Sequence, residues 1–275
     1  MMVEARRWIR SPKGNLTALL CLLLIVAIPV EGIARIASQL VVAVALSVGV
    51  DVAVSLVRRG SLSLPDGGLI TGLMIGLILV PGAPMAAVLT ATALAAASKH
   101  ALRTPQSNLF NPAAFGLLAS LLLVPAGQSW WGALADLPAP FVAVLLVGGS
   151  VIAWRVSKLP MVLAFFAGYF AAFTLAAIVV NGPSASLAAV FRPPFLDATL
   201  FFGFLMLTDP ATSPNRLEDQ LVFAAATAAV SASAFVTIHG LHYLFIGLLV
   251  ANLWWAWRRA TARPAGQLAP SHAGP

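Results

Sequence analysis

The chain has 275 residues, of which 60% are hydrophobic and only 9% charged, with a mean hydropathy of +0.94. Soluble domains carry roughly 25% charged residues, so the composition excludes an ordinary water-soluble domain and points to a protein of the lipid bilayer. The net charge of +7 does not read as a nucleic-acid stripe, because the basic residues stand in pairs between long apolar runs, as membrane topology signals do.

The N-terminus carries Arg6, Arg7, Arg10 and Lys13 ahead of an apolar run at 15–30. This imitates a secretory signal, but no small-x-small cleavage pattern precedes Glu31 and many apolar runs follow, so an uncleaved first span is expected. Cys21 lies in that run; a lone cysteine forms no intrachain disulfide and no thiolate-held cluster. A membrane-crossing helix needs about 20 apolar residues, within a range of about 17–25. On that scale the chain offers ten spans: 15–30, 34–57, 68–81, 84–98, 112–125, 138–156, 160–180, 194–207, 220–238 and 240–257. With the N-terminus inside, fourteen of the sixteen Lys and Arg residues fall in inside segments, and only Arg35 and Arg192 fall outside. This alternation predicts ten spans with both ends cytoplasmic. The expected organisation is a cytoplasmic segment 1–14, one transmembrane domain 15–257 and a disordered tail 258–275.

Spans 3 and 8 are short, and each is entered through a turn-rich stretch, SLPDGG at 63–68 and RPPFLD at 192–197. Spans 5 and 10 follow the polar clusters NLFNP at 108–112 and HGLHY at 239–243. The spacing predicts two halves, 15–125 and 138–257. An odd number of spans in each half orients them oppositely, and short interrupted segments at matching places point to a midplane site.

The polar features are few. Glycines 68, 72 and 76 put small residues on one face, suited to close helix packing or to a flat ligand lying against backbone. Asp66 and Thr71 stand at the inside mouth of that span. Asn111-Pro112 suits an N-cap with proline at the first helical position. The helix end it leaves could simply be well capped, or could hold an anionic or carbonyl group, with Lys99, His100 and Arg103 nearby. Asp51, two turns before Arg58 and Arg59, is expected to reach for the inside surface or pair with a basic residue. In TDPATSP at 208–214, Thr208 and Asp209 can cap the end of span 8 while Pro210 and Pro214 fix the turn. An aspartate at a helix C-terminus opposes the dipole and wants a partner: Arg216, or the amides of a neighbouring helix end. His239 and His242 are three apart at the start of span 10, but with no third ligand type near them no metal site is expected. No Walker loop, GxGxxG, GxSxG or CxxC motif is present.

Four stretches, SPKGNLTALLCLLLIVAIP, LPDGGLITGLMIGLILVP, SNLFNPAAFG and FLMLTDPATSP, occur in an order and spacing that resembles the RnfD/NqrB family, the membrane proteins at the centre of Rnf electron-transport complexes and of the sodium-pumping NADH:quinone reductase. The resemblance spans most of residues 11–216. It implies an all-α fold of ten transmembrane helices in two inverted five-helix halves, similar to urea transporters. It further implies flavin-dependent electron transport coupled to ion movement, beside the other components of an Rnf- or Nqr-like complex in a prokaryotic inner membrane. Members of this family carry FMN esterified to an outside-loop threonine. The matching segment, 178–194, has Gly182 in place but Pro183 for the alanine, Ser184 for the threonine and Ile178 for the aspartate. Ser184, in the threonine's place, is the residue the resemblance offers for covalent FMN. With the motif altered, a noncovalent flavin, FMN or riboflavin, is the expectation, framed by Asp66, Gly67, Gly68, Thr71, Asn111 and Pro112 from one half and Thr208, Asp209 and Pro210 from the other. The alternative on the same scaffold is a transporter or channel for a small solute or flavin precursor. Nucleic acid is not an expected partner.

Overall fold

The structure, a computed structural model, describes residues 11–60, 64–104, 107–179, 190–192, 195–238, 240 and 242–261. Among these residues the secondary structure is helical, in ten helices: α1 Pro12–Glu31, α2 Ile33–Arg59, α3 Asp66–Ile78, α4 Met85–Ala101, α5 Pro112–Leu123, α6 Val142–Arg155, α7 Leu159–Val179, α8 from Phe195–Phe201 through a π segment Phe202–Met206, α9 Leu217–Ile238 and α10 Tyr243–Thr261. Each matches one predicted span, with shifted ends. Pro12–Gly14 is already helical because the Ser11 hydroxyl accepts Gly14 N–H at 3.1 Å and Pro12 presets the first turn. Arg258–Thr261, expected in the tail, continues α10. The sixth span opens with a tight turn over Ala139–Phe141 before α6 proper. Ser184, His239 and the tail from 262 lie outside the described residues.

Four helices, α1, α2, α7 and α9, are long and apolar enough to cross a membrane. Large apolar side chains stand exposed along the outward faces, among them Ile25, Val41, Leu122, Val147, Leu163, Leu175, Val236 and Leu253. That surface suits hydrocarbon rather than water. Basic residues from helix ends far apart in the chain find partners near one another at one end of the molecule. There Lys13 pairs with Asp66, the Arg58 guanidinium donates to the His100 carbonyl, Arg258 pairs with Asp219, and Arg259 donates to Ser107.

Helix α3 decides the shape of the interior. At 1.5 Å per residue its 13 residues reach roughly 20 Å, short of a hydrocarbon core about 30 Å thick. The chain then turns extended at Leu79, which bridges Gln128 in the segment after α5. Backbone groups freed inside an apolar medium need internal partners. Ile78 O accepts Ser129 N–H and Trp130 N–H, and Gly127 O accepts Val80 N–H. Gly76 O accepts the Gln39 amide and the Trp131 indole, each at 2.9 Å, while Gln39 Oε1 accepts Gly82 N–H at 2.9 Å. Trp130 holds φ +55, a rare conformation for a bulky residue, and is locked by stacking on Phe245. Gln39→Leu removes a donor and an acceptor from this knot while keeping side-chain volume. It should cost about 1–2 kcal/mol, measurable as a lower melting temperature of the detergent-solubilised protein.

Part of the packing order repeats along the chain, although α3 also packs on α4 and α5 while α8 makes no comparable contact with α9 or α10. Helix α1 packs on α3, α2 on α3 and α4, and α4 on α5; in the second set, α6 packs on α8, α7 on α8 and α9, and α9 on α10. Between the sets, α1 meets α6 and α5 meets α10.

Candidate functional site

A cavity of about 310 Å³ lies where the start of α1, the N-termini of α3 and α5, the end of α6 and the turn after α8 converge. It opens at the basic end, beside the exposed Lys13 and Leu64. Its walls include Asp66, Gly67, Thr71, Asn111, Pro112, Thr208, Asp209 and Pro210, eight of the nine residues expected from sequence. The ninth, Gly68, faces α2: a Cβ there would lie 2.7 Å from the Ser47 carbonyl oxygen. Gly72 and Gly76 face α2 as well, so the glycine stripe serves helix packing rather than a ligand.

Helix α3 begins directly after Pro65, whose side chain caps nothing, so its first amides have no side-chain acceptor from the N-cap. Asn111 does cap α5, accepting Ala114 N–H at 3.1 Å. It also ties the two sets of helices together. Its own N–H donates to Asn252 Oδ1 at 3.0 Å, its amide donates to Met206 O at 3.4 Å, and the Asn252 amide donates to Thr212 O at 3.1 Å. Asn111 thus finishes α5 and holds the end of α8 with the same side chain.

The TDPATSP turn departs from expectation. Asp209 takes its hydrogen bonds neither from Arg216, which is exposed, nor from the amides of a neighbouring helix end, although it lines the same cavity as the starts of α3 and α5. Its carboxylate accepts Ala211 N–H at 3.0 Å and the Thr212 hydroxyl at 3.1 Å, an Asx-type turn closed on itself. Burial pushes its carboxyl upward, opposed by those two donors and by the charges of Lys13 and Lys99. Thr208 donates back to the Phe204 carbonyl at 2.6 Å, finishing the π segment, in which Leu207 N–H reaches Phe202 O. A fully buried lysine, Lys158 in the α6–α7 link, grips the turn from behind. Its ammonium donates to the carbonyls of Ser213 and Pro214 and, at 2.8 Å, to Asn215 Oδ1.

At the mouth Asp51 meets Lys99 and, at 2.9 Å, His100; it thus pairs with bases, as a carboxylate at that depth must. Lys13 and Asp66 lie 3.2 Å apart. Counting Lys158 behind the turn, three lysines stand against three carboxylates, Asp51, Asp66 and Asp209, so the fixed charges nearly balance and the N-terminal dipoles of α3 and α5 add to the positive side. Deeper in, Ile70, Met74, Ile152 and Leu205 make apolar walls. Thr71 and Thr208 spend their hydroxyl protons on their own helix carbonyls, Gly67 O and Phe204 O. Toward the cavity they offer lone pairs, which suit a ligand with N–H donors. Beyond the cavity the interior is closed by buried rings, with Tyr169 and Tyr243 joined through their hydroxyls among Phe165, Phe173 and Phe235.

Lys158 and Asn252 were not anticipated from sequence. Asn252 carried a usable signal, since an amide within the apolar run of α10 has to find an internal partner. Lys158 carried none, because a lysine in a short basic link reads as a topology signal.

No protein-family model matches the chain, and no curated protein matches it significantly.

Proposed function

We propose that the protein is a membrane component of the RnfD/NqrB type, holding one noncovalent flavin in the central cavity and working in electron transport coupled to ion movement. In this reading it sits among partner proteins of an Rnf- or Nqr-like complex in a prokaryotic inner membrane, with its basic end and both chain ends in the cytoplasm. The supporting observation is convergence: stretches 64–74, 108–113 and 205–211, the ones that carry the resemblance, line one cavity together with the start of α1. The partly repeated packing order supports two five-helix halves, which an odd helix number would orient oppositely.

A bound flavin supplies the electron chemistry, and the chain supplies position and potential. The cavity volume stands at the lower end of the roughly 300–1,000 Å³ of small-molecule sites, so it takes a single ligand. Thr71 and Thr208 accept from ligand N–H groups, and the ends of α3 and α5 with Lys13 and Lys99 favour electron-rich oxygens. The near balance of charge at the mouth suits uncharged riboflavin better than dianionic FMN. That same balance favours a second reading, in which the cavity carries a small neutral solute without redox chemistry.

Absorption spectrum and intact mass of the protein purified in mild detergent with its partners decide between them. The expected result is a flavin spectrum, an unshifted mass, and release of the flavin on denaturation. Ile70→Trp, which fills the cavity, should abolish bound flavin and leave the melting temperature within a few degrees. A mass increase of one FMN localised to Ser184 would overturn the noncovalent assignment. A colourless protein that moves solute in vesicles would sink the electron-transfer role.

A further inference from the structure

Three carboxyl side chains come together at the end of the molecule opposite the basic end: Glu31 closing α1, Asp136 in the link before α6, and Asp197 in the first turn of α8. Asp197 is 2% exposed, and its Oδ2 has no accessible surface and no hydrogen-bond partner among the described residues. The charge that acts on it is that of Asp136, of the same sign. A carboxylate so placed has neither solvent nor donor at that oxygen to hold its charge, so the neutral acid is the stable form there. Glu31 and Asp136 are hydrogen-bonded to each other through their side chains. Ionised carboxylates accept but do not donate, so that pair also holds a proton. Asp136 is exposed and Glu31 half-buried, which opens the pair to water.

The neighbouring groups supply no counter-charge to Asp197. Helix α8 packs on α6, whose one ionisable residue, Arg155, stands at its opposite end, and on the turn 131–133, which has none. Arg35 at the start of α2 acts on Glu31, and Arg192 ahead of α8 is exposed. Tyr169 of α7 and Tyr243 of α10 are bonded to each other and to Thr199. We propose that the three carboxyls form a proton-binding site, in which Asp197 holds one proton and exchanges it with the aqueous phase at that end through the Glu31–Asp136 pair. A proton needs no room, whereas an oxygen without accessible surface leaves none for a sodium ion. On release the Asp197 O–H bond breaks as one forms on the free carboxylate of the pair, which then gives its proton to water. Loading runs the same steps in reverse, and no co-reactant enters. The partial repeat matches α6 with α1 and α8 with α3, so this site lies by the starts of α6 and α8 as the central cavity lies by the starts of α1 and α3. The inference is independent of what the central cavity holds.

The test is infrared spectroscopy of the full chain in lipid nanodiscs at pH 7, reading the carbonyl stretch of protonated carboxyls in wild type against Asp197→Asn. Wild type should show a band that shifts in D2O and is lost in Asp197→Asn. Asp136→Asn, a change at an exposed position, should keep the band but slow its exchange into D2O at least about a hundredfold, the lower end of what a positioned acid–base group contributes. Replacing choline chloride by sodium chloride should leave the band in place. A band that persists in Asp197→Asn, or is missing from wild type, would overturn the proposal. So would exchange as fast in Asp136→Asn as in wild type, or loss of the band in sodium. The exchange comparison leaves Asp197 unchanged, so it decides the matter even where Asp197→Asn does not fold.

Discussion

Leucine in place of Gly72 is expected to leave little folded protein. A Cβ at this position would stand 2.6 Å from Val44 Cα, 2.8 Å from Ala43 O and 2.9 Å from Val44 N, all backbone atoms of α2. No rotamer change relieves such a contact, so α2 and α3 must separate. Separation would break the Gln39 bonds that close the end of α3 and pull Gly67 and Gly68 away from Asp51 and Lys99. Overpacking alone costs about 1–3 kcal/mol; with the linked hydrogen bonds the loss should reach about 4 kcal/mol or more, a large fraction of the roughly 5–15 kcal/mol that holds a typical domain folded. Alanine should already be harmful, because the clash begins at Cβ. Gly49 on the same α2 has nothing within 4 Å of a Cβ, and Gly49→Leu is the control. Size-exclusion profiles in detergent should show a monodisperse Gly49→Leu and an aggregated Gly72→Leu. A folded Gly72→Leu of unchanged melting temperature would refute this account of the glycine stripe.

Lys158→Met should loosen the turn that closes the central cavity. The substitution keeps volume but leaves the carbonyls of Ser213 and Pro214 without their donor, at about 1–3 kcal/mol for each buried group. Thr208–Ala211 line the cavity, so ligand retention should fall with stability. The wild type carries a pH signature of the same lysine. Burial pulls Lys158 down from 10.5 to about 8, against the opposing pull of the Asp209 charge. Below about pH 8 the folded and unfolded chains both hold this proton. Between about 8 and 10.5 the folded chain has released it while the unfolded chain still binds it, so stability contributed by this group rises with pH across that window. Melting curves from pH 7 to 10.5 should show that rise in the wild type and lose it in Lys158→Met. Parallel curves for the two proteins would mean that Lys158 does not titrate as a buried base.

Much of the fold is legible in the chain because the bilayer imposes length and charge rules that act locally. Apolar runs marked each helix, and the alternation of Lys and Arg anticipated which helix ends share a face. The four motif stretches also indicated the cavity, since polar residues in so apolar a chain are few and nearly all have work to do. Helix ends proved less legible, because Ser11 and the run through Thr261 depend on capping and on interface contacts that hydropathy does not weigh. The π segment of α8 was invisible, since nothing in the local sequence marks an i→i−5 bond such as Leu207 N–H to Phe202 O; within it Gly203 leaves no room for a side chain beside the Phe166 ring.

The sequence by itself determined a polytopic helical protein, its ten helices, the clustering of basic residues at one end, the capping role of Asn111 and most of the residues that face the cavity. Tertiary structure alone decided that Gly68 packs against α2, that Asp209 closes its own turn instead of meeting Arg216, and that Lys158 and Asn252 hold that turn in place. The physical reason is range. Hydropathy, capping and topology charge are properties of neighbours along the chain, whereas the partner of a buried polar group is whichever donor or acceptor the packing of distant helices brings within hydrogen-bond reach.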